Sequence, residues 1–413
     1  MITYLTLFKK EGVRLIKGNQ RLLKKMNRTQ VLDLIRREGP LSKAQLAERM
    51  KLTFAGVSKI VNDLESSGIL FLRGEGRSSG GRKPALYALN ATAFYVVAVD
   101  LSVDEIHVAL MDLSTVTVDE TCLAAPGDRT PRSYVEAVRL GVQTLLERSG
   151  IPRKKILGVG VSSPGPVNSV TGEVLYPPNL PLWNVVPLKE RLEQELRMPV
   201  KVEKDANLHA LGEKWFGAGR GADNLVYVLV GEGIGGGIVI EGSLYRGTPF
   251  GAGEIGHGTV DLHGPRCNCG NYGCLEVMAS GLAVIRRIRE KIRAGHASPH
   301  YPAPEKIQLS NVLKAFQCGD DLTIRELEET SRVIAAGLIG VVNSLRPDML
   351  ILGGKLSRGF PLMTDIVKGV IRERVVPALS EQLQIVKGEL RDKSGLVGAA
   401  ALVMEEIFTL QLK

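Results

Sequence analysis

The chain has 413 residues, of which 44% are apolar and 23% charged, with a net charge of +9. This composition excludes a disordered, collagenous or small disulfide-stapled protein and leaves room for two or three globular domains. The longest apolar stretch, 333–342, is too short for a membrane span, and the N-terminal MITYLTLFKK places its apolar run before its basic residues, the reverse of a secretory signal.

Charge is concentrated at one end. The first 89 residues hold 18 Lys+Arg against 7 Asp+Glu, whereas the rest holds 35 against 37. A small cationic module on a near-neutral body points to a polyanion partner, most simply nucleic acid. The bland alternative is a solvated basic surface.

The head predicts three helices and a hairpin. Residues 27–38 carry apolar residues at 31, 32, 34 and 35, giving a short amphipathic helix capped by Thr29 and stopped by Gly39-Pro40. Ser42 with Gln45 forms a capping box for the next helix, and Leu41 and Leu46 sit at the staple positions. After the turn Lys51-Leu52, Thr53 caps a third helix, whose Val57, Ile60, Val61 and Leu64 form one buried stripe. Gly68 ends it.

This is a helix-turn-helix, whose second helix reads base edges from its N-terminal end. Its outward residues are Thr53, Phe54, Ala55, Gly56, Ser58 and Lys59. Two short strands around 69–73 and 86–89 flank a Gly-rich cationic segment with Arg77, Arg82 and Lys83, a β-wing suited to the minor groove. A flexible linker is the alternative for that segment.

From residue 91 onward the pattern is strand meander, helix from 134 to 149, then an apolar strand ending in the Gly/Pro loop Ser163-Pro164-Gly165. A second such half starts at LVYVLVGEGIGGGIVI, and 350–353 is a further strand. The fold class is α/β: an N-terminal winged helix-turn-helix followed by a two-lobed, ribonuclease-H-like (actin/hexokinase-type) body with a cleft between the lobes. The expected extents are 1–89 for the head, 90–205 plus 393–413 for lobe 1, and 206–392 for lobe 2.

His257, Cys267, Cys269 and Cys274 follow as GH-x9-C-x-C-x4-C, a closed Cys3His set of the structural zinc type, one ion per chain. With no open position, catalysis by the metal is disfavoured. A reduced cysteine cluster without metal is the alternative, and His263 is a competing ligand. Five Cys in such a long chain, three of them within this loop, point to a reducing, cytoplasmic setting. Cys122 and Cys318 are expected to be buried thiols.

The segment V-G-E-G-I-G-G-G-I followed by GTPFGAGEIGH, with the cysteine loop behind it, resembles the ROK family of repressors, uncharacterised reading frames and sugar kinases, in its repressor branch. The resemblance runs from GNQRLLKKMNRTQVL to the final GLVGAAALVMEEI. It implies zinc in the Cys3His loop. It also implies sugar-hydroxyl contacts from Asp205, Glu254, His257 and Glu276, with Asn179 a weaker carry-over. Asp205 occupies the place of a kinase general base.

Three departures matter. Lys204 stands where the kinases carry Asn; it either pairs with Asp205, points to solvent, or favours an acidic or modified sugar. The kinase Asp-x-Gly-Gly-Thr reads Asp100-Leu101-Ser102-Val103-Asp104, and the second phosphate loop, Gly-Thr-Gly, reads Gly231-Glu232-Gly233. Side chains and carboxylates therefore occupy the phosphate positions. The expectation is a non-enzymatic, sugar-responsive DNA-binding regulator, acting as a homodimer or dimer of dimers on a palindromic double-stranded operator, with no membrane partner. The rivals are an ATP-dependent sugar kinase with a DNA-binding head, and a module whose zinc loop docks a transporter component.

If the wing grips phosphate, R82A weakens operator binding about equally for all sequences and lowers the slope of log affinity against log salt by about one. Fluorescence anisotropy over a salt series measures this, and an unchanged slope removes Arg82 from the interface.

Overall fold

In the computed structural model, residues 4–7, 14–17, 20–76, 83–177, 179–248, 250–377 and 381–408 are described. The N-terminal strands β1 (Tyr4–Leu7) and β2 (Arg14–Lys17) pair antiparallel. Helix α1 (Gln20–Glu38) then runs longer than its apolar pattern predicts. Thr29 is no cap: it lies buried within this helix, whose first turns carry Leu22, Leu23 and Met26 ahead of it.

The next cap is as expected. Strand β3 (Leu41–Ser42) leads into α2 (Lys43–Met50), where the Ser42 hydroxyl accepts from the Gln45 N–H and the Gln45 side chain accepts from the Ser42 N–H. Thr53 caps α3 (Phe54–Ser66), which buries Val57, Val61 and Leu64. Strands β4 (Leu70–Glu75) and β5 (Ala85–Leu89) form the base of the wing, with β3 completing a three-stranded sheet in the order β3-β5-β4.

The body contains two five-stranded sheets of the same plan. The first comprises β6 (Tyr95–Leu101), β7 (Glu105–Asp112) and β8 (Thr117–Ala124), an antiparallel meander. Helix α4 (Pro131–Ser149), capped by Thr130 four residues ahead of the apolar run, leads to β9 (Ile156–Ser163), parallel to β6. After the small hairpin β10 (Val167–Asn168) and β11 (Glu173–Val174), α5 (Leu188–Leu196) leads to β12 (Val200–Lys204), parallel to β9. The order is β12-β9-β6-β7-β8.

Helix α6 (Asp205–Phe216) crosses to the second sheet. There β13 (Leu225–Val230), β14 (Ile234–Ile240) and β15 (Ser243–Leu244) form the meander. The helices α7 (Leu275–Ala279), α8 (Gly281–Arg293), α9 (Leu309–Gln317) and α10 (Asp321–Leu345) intervene before β16 (Met349–Gly353). Helices α11 (Lys355–Gly359) and α12 (Met363–Arg374) precede β17 (Gln384–Lys387). The order β15-β14-β13-β16-β17 repeats that of the first sheet, which makes the body a structural duplication.

Helix α13 (Ser394–Phe408) closes the chain and lies between the sheets, packed on β6 and β9 on one side and on α6 on the other. Gly398 is needed at this crossing because a Cβ there would stand 1.8 Å from the Leu208 carbonyl oxygen of α6. One apolar cluster runs from Val31, Leu32 and Ile35 of the head through Leu208 and Trp215 of α6 to Met404 and Phe408 of α13. Two further cores fill the outer faces of the two halves. Among the described residues no helix is long and apolar enough to cross a membrane.

S42A removes the cap of α2 and costs about 1 kcal/mol of stability. Urea denaturation followed by circular dichroism checks it, and an unchanged midpoint would show that the cap contributes nothing.

Candidate functional site

Three groups of residues come into question: the exposed end of α3, the Cys/His loop, and the polar lining of the cleft.

On α3, Thr53, Phe54, Ala55, Gly56 and Lys59 are exposed, while Ser58 is half-buried. The Thr53 hydroxyl accepts from the Gly56 N–H at 3.2 Å, fixing the first turn. Phe54 is 58% exposed, a large apolar ring at the position expected to meet base edges. Lys83 is exposed at the foot of the wing; Arg77 and Arg82 lie outside the described residues.

In the loop, His257, Cys267, Cys269 and Cys274 each offer one ligand atom, and all four atoms lie within 4.8 Å of one another. Cys267 Sγ is 3.7 Å from His257 Nδ1, and Cys269 Sγ is 3.7 Å from Cys274 Sγ. A tetrahedron with metal–sulfur bonds of about 2.3 Å has edges of about 3.8 Å, so these two separations match those of a tetrahedral zinc site. His263 is not part of this cluster; its N–H donates to the Asp261 carboxylate. Burial is the main cause that pushes the Cys274 thiol up to about 12. Cys122 and Cys318, expected to be buried, are exposed. Strand β8 alternates, and Cys122 falls on its outward register.

His257 points its other ring nitrogen elsewhere: Nε2 lies 3.9 Å from Glu254 Oε2. An imidazole that binds metal through one nitrogen commonly presents the other to a carboxylate. Glu254 Oε1 in turn accepts from Lys204 Nζ at 2.6 Å, and the same ammonium lies 3.5 Å from the Gly253 carbonyl. Lys204 therefore neither pairs directly with Asp205 nor points to solvent; its side chain is only 8% exposed. Sequence spacing held no sign of this partner, which stands fifty residues away.

Asp205 opens α6 at the cleft. Loss of hydration pushes its carboxyl up to about 6, helped by the Asp100 and Glu254 carboxylates and opposed by Lys204 and the Ala206 N–H. Glu276 accepts from the Ile234 N–H at 3.0 Å and lies where a Cβ on Gly233 would come within 2.6 Å of it. Asp205, Glu254, His257 and Lys204 thus form one polar cluster. Asn179 belongs to a neighbouring wall: it lines an interlobe cavity of about 630 Å³ together with Asp104, Arg129, Glu232, Arg289 and Lys355.

The altered phosphate loops meet in that cavity. The Glu232 carboxyl is raised, first by burial and then by Asp104, against Lys355 and Arg129. Ser102 makes a tight turn with Glu105, which projects Asp104 into the space. Arg129 is held in place by its carbonyl, which accepts from the buried Trp183 indole at 3.1 Å. Sequence reasoning missed Arg129, Arg289 and Lys355; each stands on a different element, and only the fold brings them together.

The comparisons with known proteins agree with this architecture. The ROK family model matches residues 96–406, and a winged helix-turn-helix DNA-binding model matches 27–70. The chain belongs to the ROK family. A xylose repressor from Caldicellulosiruptor bescii is 30% identical over 394 residues, 95% of this chain and 98% of that protein. The crystal structure of a ROK family transcriptional regulator, a homologue of E. coli MLC protein, superposes with a TM-score of 0.81 at 26% identity, covering 94% of this chain and 97% of its own. A ROK glucokinase from Streptomyces griseus, solved with glucose and AMPPNP, superposes at 0.67 and 32% identity over 75% of this chain and 98% of its own. The ROK body here carries a winged head.

C269S leaves three donors in the loop. The expected outcome is loss of bound metal in elemental analysis and a melting temperature lower by several degrees, since metal binding is part of folding such a loop. Full metal content with unchanged melting contradicts the site.

Proposed function

We propose that this ROK protein is a sugar-responsive repressor of carbohydrate-utilisation genes. The observation that carries this reading is one chain holding both a winged helix-turn-helix and a preserved polar cluster of Asp205, Glu254 and His257, beside a phosphate cavity that carries Asp104 and Glu232.

In this reading Thr53, Phe54, Ala55, Gly56, Ser58 and Lys59 of α3 enter the major groove, and Arg77, Arg82 and Lys83 of the wing follow the minor groove. A homodimer binds a palindromic operator, since two-fold protein symmetry is matched by two-fold DNA symmetry. Residues 1–89 act as the reader, 90–205 with 393–413 as lobe 1, and 206–392 as lobe 2. Asp205, Glu254, His257 and Glu276 accept and donate hydrogen bonds to sugar hydroxyls, with Asn179 at the rim. One structural zinc in the His257, Cys267, Cys269 and Cys274 loop holds His257 for that task.

Phosphoryl transfer is not part of this function. Asp104 and Glu232 put carboxylates where the kinase loops carry threonine hydroxyls, and each like-charge contact at ~4 Å costs roughly 4 kcal/mol at an effective dielectric of 20, although Arg129, Arg289 and Lys355 line the same cavity and offset part of that cost. One observation favours the kinase reading: the Asp205 carboxyl at about 6 is poised as a general base would be. An ATP-dependent phosphorylation assay separates the two readings.

Thermal-shift screening against a monosaccharide panel, with ATP as a separate arm, tests the proposal directly. Stabilisation by at least one free sugar, none by ATP, and release of a promoter duplex by that sugar are expected. E254Q leaves operator affinity unchanged and abolishes the sugar response. Sugar phosphorylation at an enzymatic rate, or indifference to every sugar, overturns the proposal.

A further inference from the structure

Arg36 sits at the seam between head and body, on the last turn of α1. Its guanidinium carbon lies 4.0 Å from the Trp215 ring centroid, 5.9 Å from that of Phe408 and 6.0 Å from that of Phe216. Trp215 and Phe408 stand nearly perpendicular, at 84°, and enclose it from two helices. The side chain is 9% exposed. Asp33 Oδ1 accepts from Nη2 at 2.6 Å, and the Trp215 carbonyl lies 3.5 Å from Nη1. Nε is buried with no hydrogen-bond partner.

The arrangement is unusual for a packing contact. A flat guanidinium stacks on aromatic faces with real attraction, and an ammonium does so less well. Yet one buried N–H remains unpaired, which has a desolvation cost that water would relieve. The contact therefore holds the head without locking it.

The aromatic box stands at the far end of α6. The same helix begins at Asp205 in the cleft and ends at Phe216, so twelve residues, roughly 18 Å, separate the polar cluster from Arg36. Along that length α6 is clamped to α13, which carries Phe408. A Cβ on Gly212 would meet the Ser394 carbonyl at 2.6 Å, and one on Gly398 would meet the Leu208 carbonyl at 1.8 Å. Helices in backbone contact move together. Arg36 lies three residues before Gly39, where α1 ends and the chain turns towards α2 and α3, and α1 packs into the same head core through Val31, Leu32 and Ile35.

We propose that the Arg36 contact with Trp215, Phe216 and Phe408 is a releasable latch, through which α6 and α13 relay the state of the cleft to the DNA-reading head. The inference rests on the sugar-responsive reading above. When the cleft rearranges, the paired helices shift, the box opens, and α1 is freed from the body; head position thereby responds to the cleft. The coupling arises because sugar and latch favour different placements of one rigid pair.

The test uses the full-length protein with its metal, wild type and the variants R36M, R36K and W215L. Labels attached through unnatural amino acids at Glu65 and Lys154, both exposed, report the head–body distance by double electron–electron resonance. Wild type is expected to give a narrow distribution that widens with an effective sugar; R36M and W215L give the wide distribution at once. In operator binding, a sugar effect of about tenfold in wild type falls to within about twofold in R36M and W215L. R36K, which keeps the charge, retains part of it. R36M keeps the apolar stem and fills the box, so loss of coupling with an unchanged melting temperature separates relay from packing.

Narrow distances and a wild-type sugar effect in R36M and W215L overturn the latch. If R36M widens the distances while no sugar shifts operator affinity in wild type, the sugar-responsive reading is overturned and the relay falls with it.

Discussion

Helices α6 and α13 cross in backbone contact at Gly398 and Leu208, and the rest of the body is arranged around that crossing. Each sheet buries its inner face against one member of the pair: β6 and β9 against α13, β13 and β14 against α6. No side chain fits between the helices at Gly398, so the two halves cannot slide on each other without moving both. The same constraint fixes the position of the candidate sugar cluster, because α6 starts at Asp205 where β12 ends. It also extends to the head, whose core is continuous with the helix pair through Leu32, Trp215 and Phe408.

The cleft is governed by a balance of charge in poorly hydrated surroundings. The Asp205 carboxyl rises to about 6, chiefly through lost hydration, with the Asp100 and Glu254 carboxylates adding to the rise. Lys204 offsets part of this by bonding to Glu254 at 2.6 Å. That ammonium joins β12 of the first half to the loop before His257 in the second half. A half-buried pair of this kind adds little net stability, but removing Glu254 leaves the buried Lys204 ammonium without its partner. The pair accordingly specifies how the two halves meet at the sugar cluster more than how firmly they do so.

Local signals in the sequence were sufficient for the parts whose physics is local. The Ser42 box and the Thr53 cap each need only neighbouring residues, and both stand where the spacing placed them. The cluster of His257, Cys267, Cys269 and Cys274 was legible because one imidazole and three thiols so closely spaced in the chain fall within one loop. Thr29 misled because its hydroxyl resembles a cap, whereas Leu22, Leu23 and Met26 before it already belong to the same helix. Cys122 misled for the converse reason: thiols are often buried, but register on β8 turns this one outward. The Lys204–Glu254 pair, the cations lining the interlobe cavity and the Arg36 box all join residues distant in sequence, and no period or motif announces them.

A kinase and a regulator make different demands on one cleft. Phosphoryl transfer requires that sugar and nucleotide bind together, with the phosphates cradled by backbone and cation. A regulator requires only that one ligand prefer one arrangement of the halves. Asp104 and Glu232 stand at the threonine positions of the two phosphate loops, and Ser102 and Val103 at the glycines of the first, so the first demand is met less well, whereas Asp205, Glu254 and His257, on which the proposed sugar contacts rest, are all present. The altered loops also keep a role of their own. Asp104 from the first half and Glu232 from the second face Arg129 and Lys355 across the cavity, so charges contributed by both halves now meet where a nucleotide would otherwise bridge them. In the proposed reading, opening and closing of the cleft changes the distances within that set directly. Movement of the halves would then be tied to electrostatics internal to the chain, which is the condition a sugar needs in order to shift the balance without a second ligand.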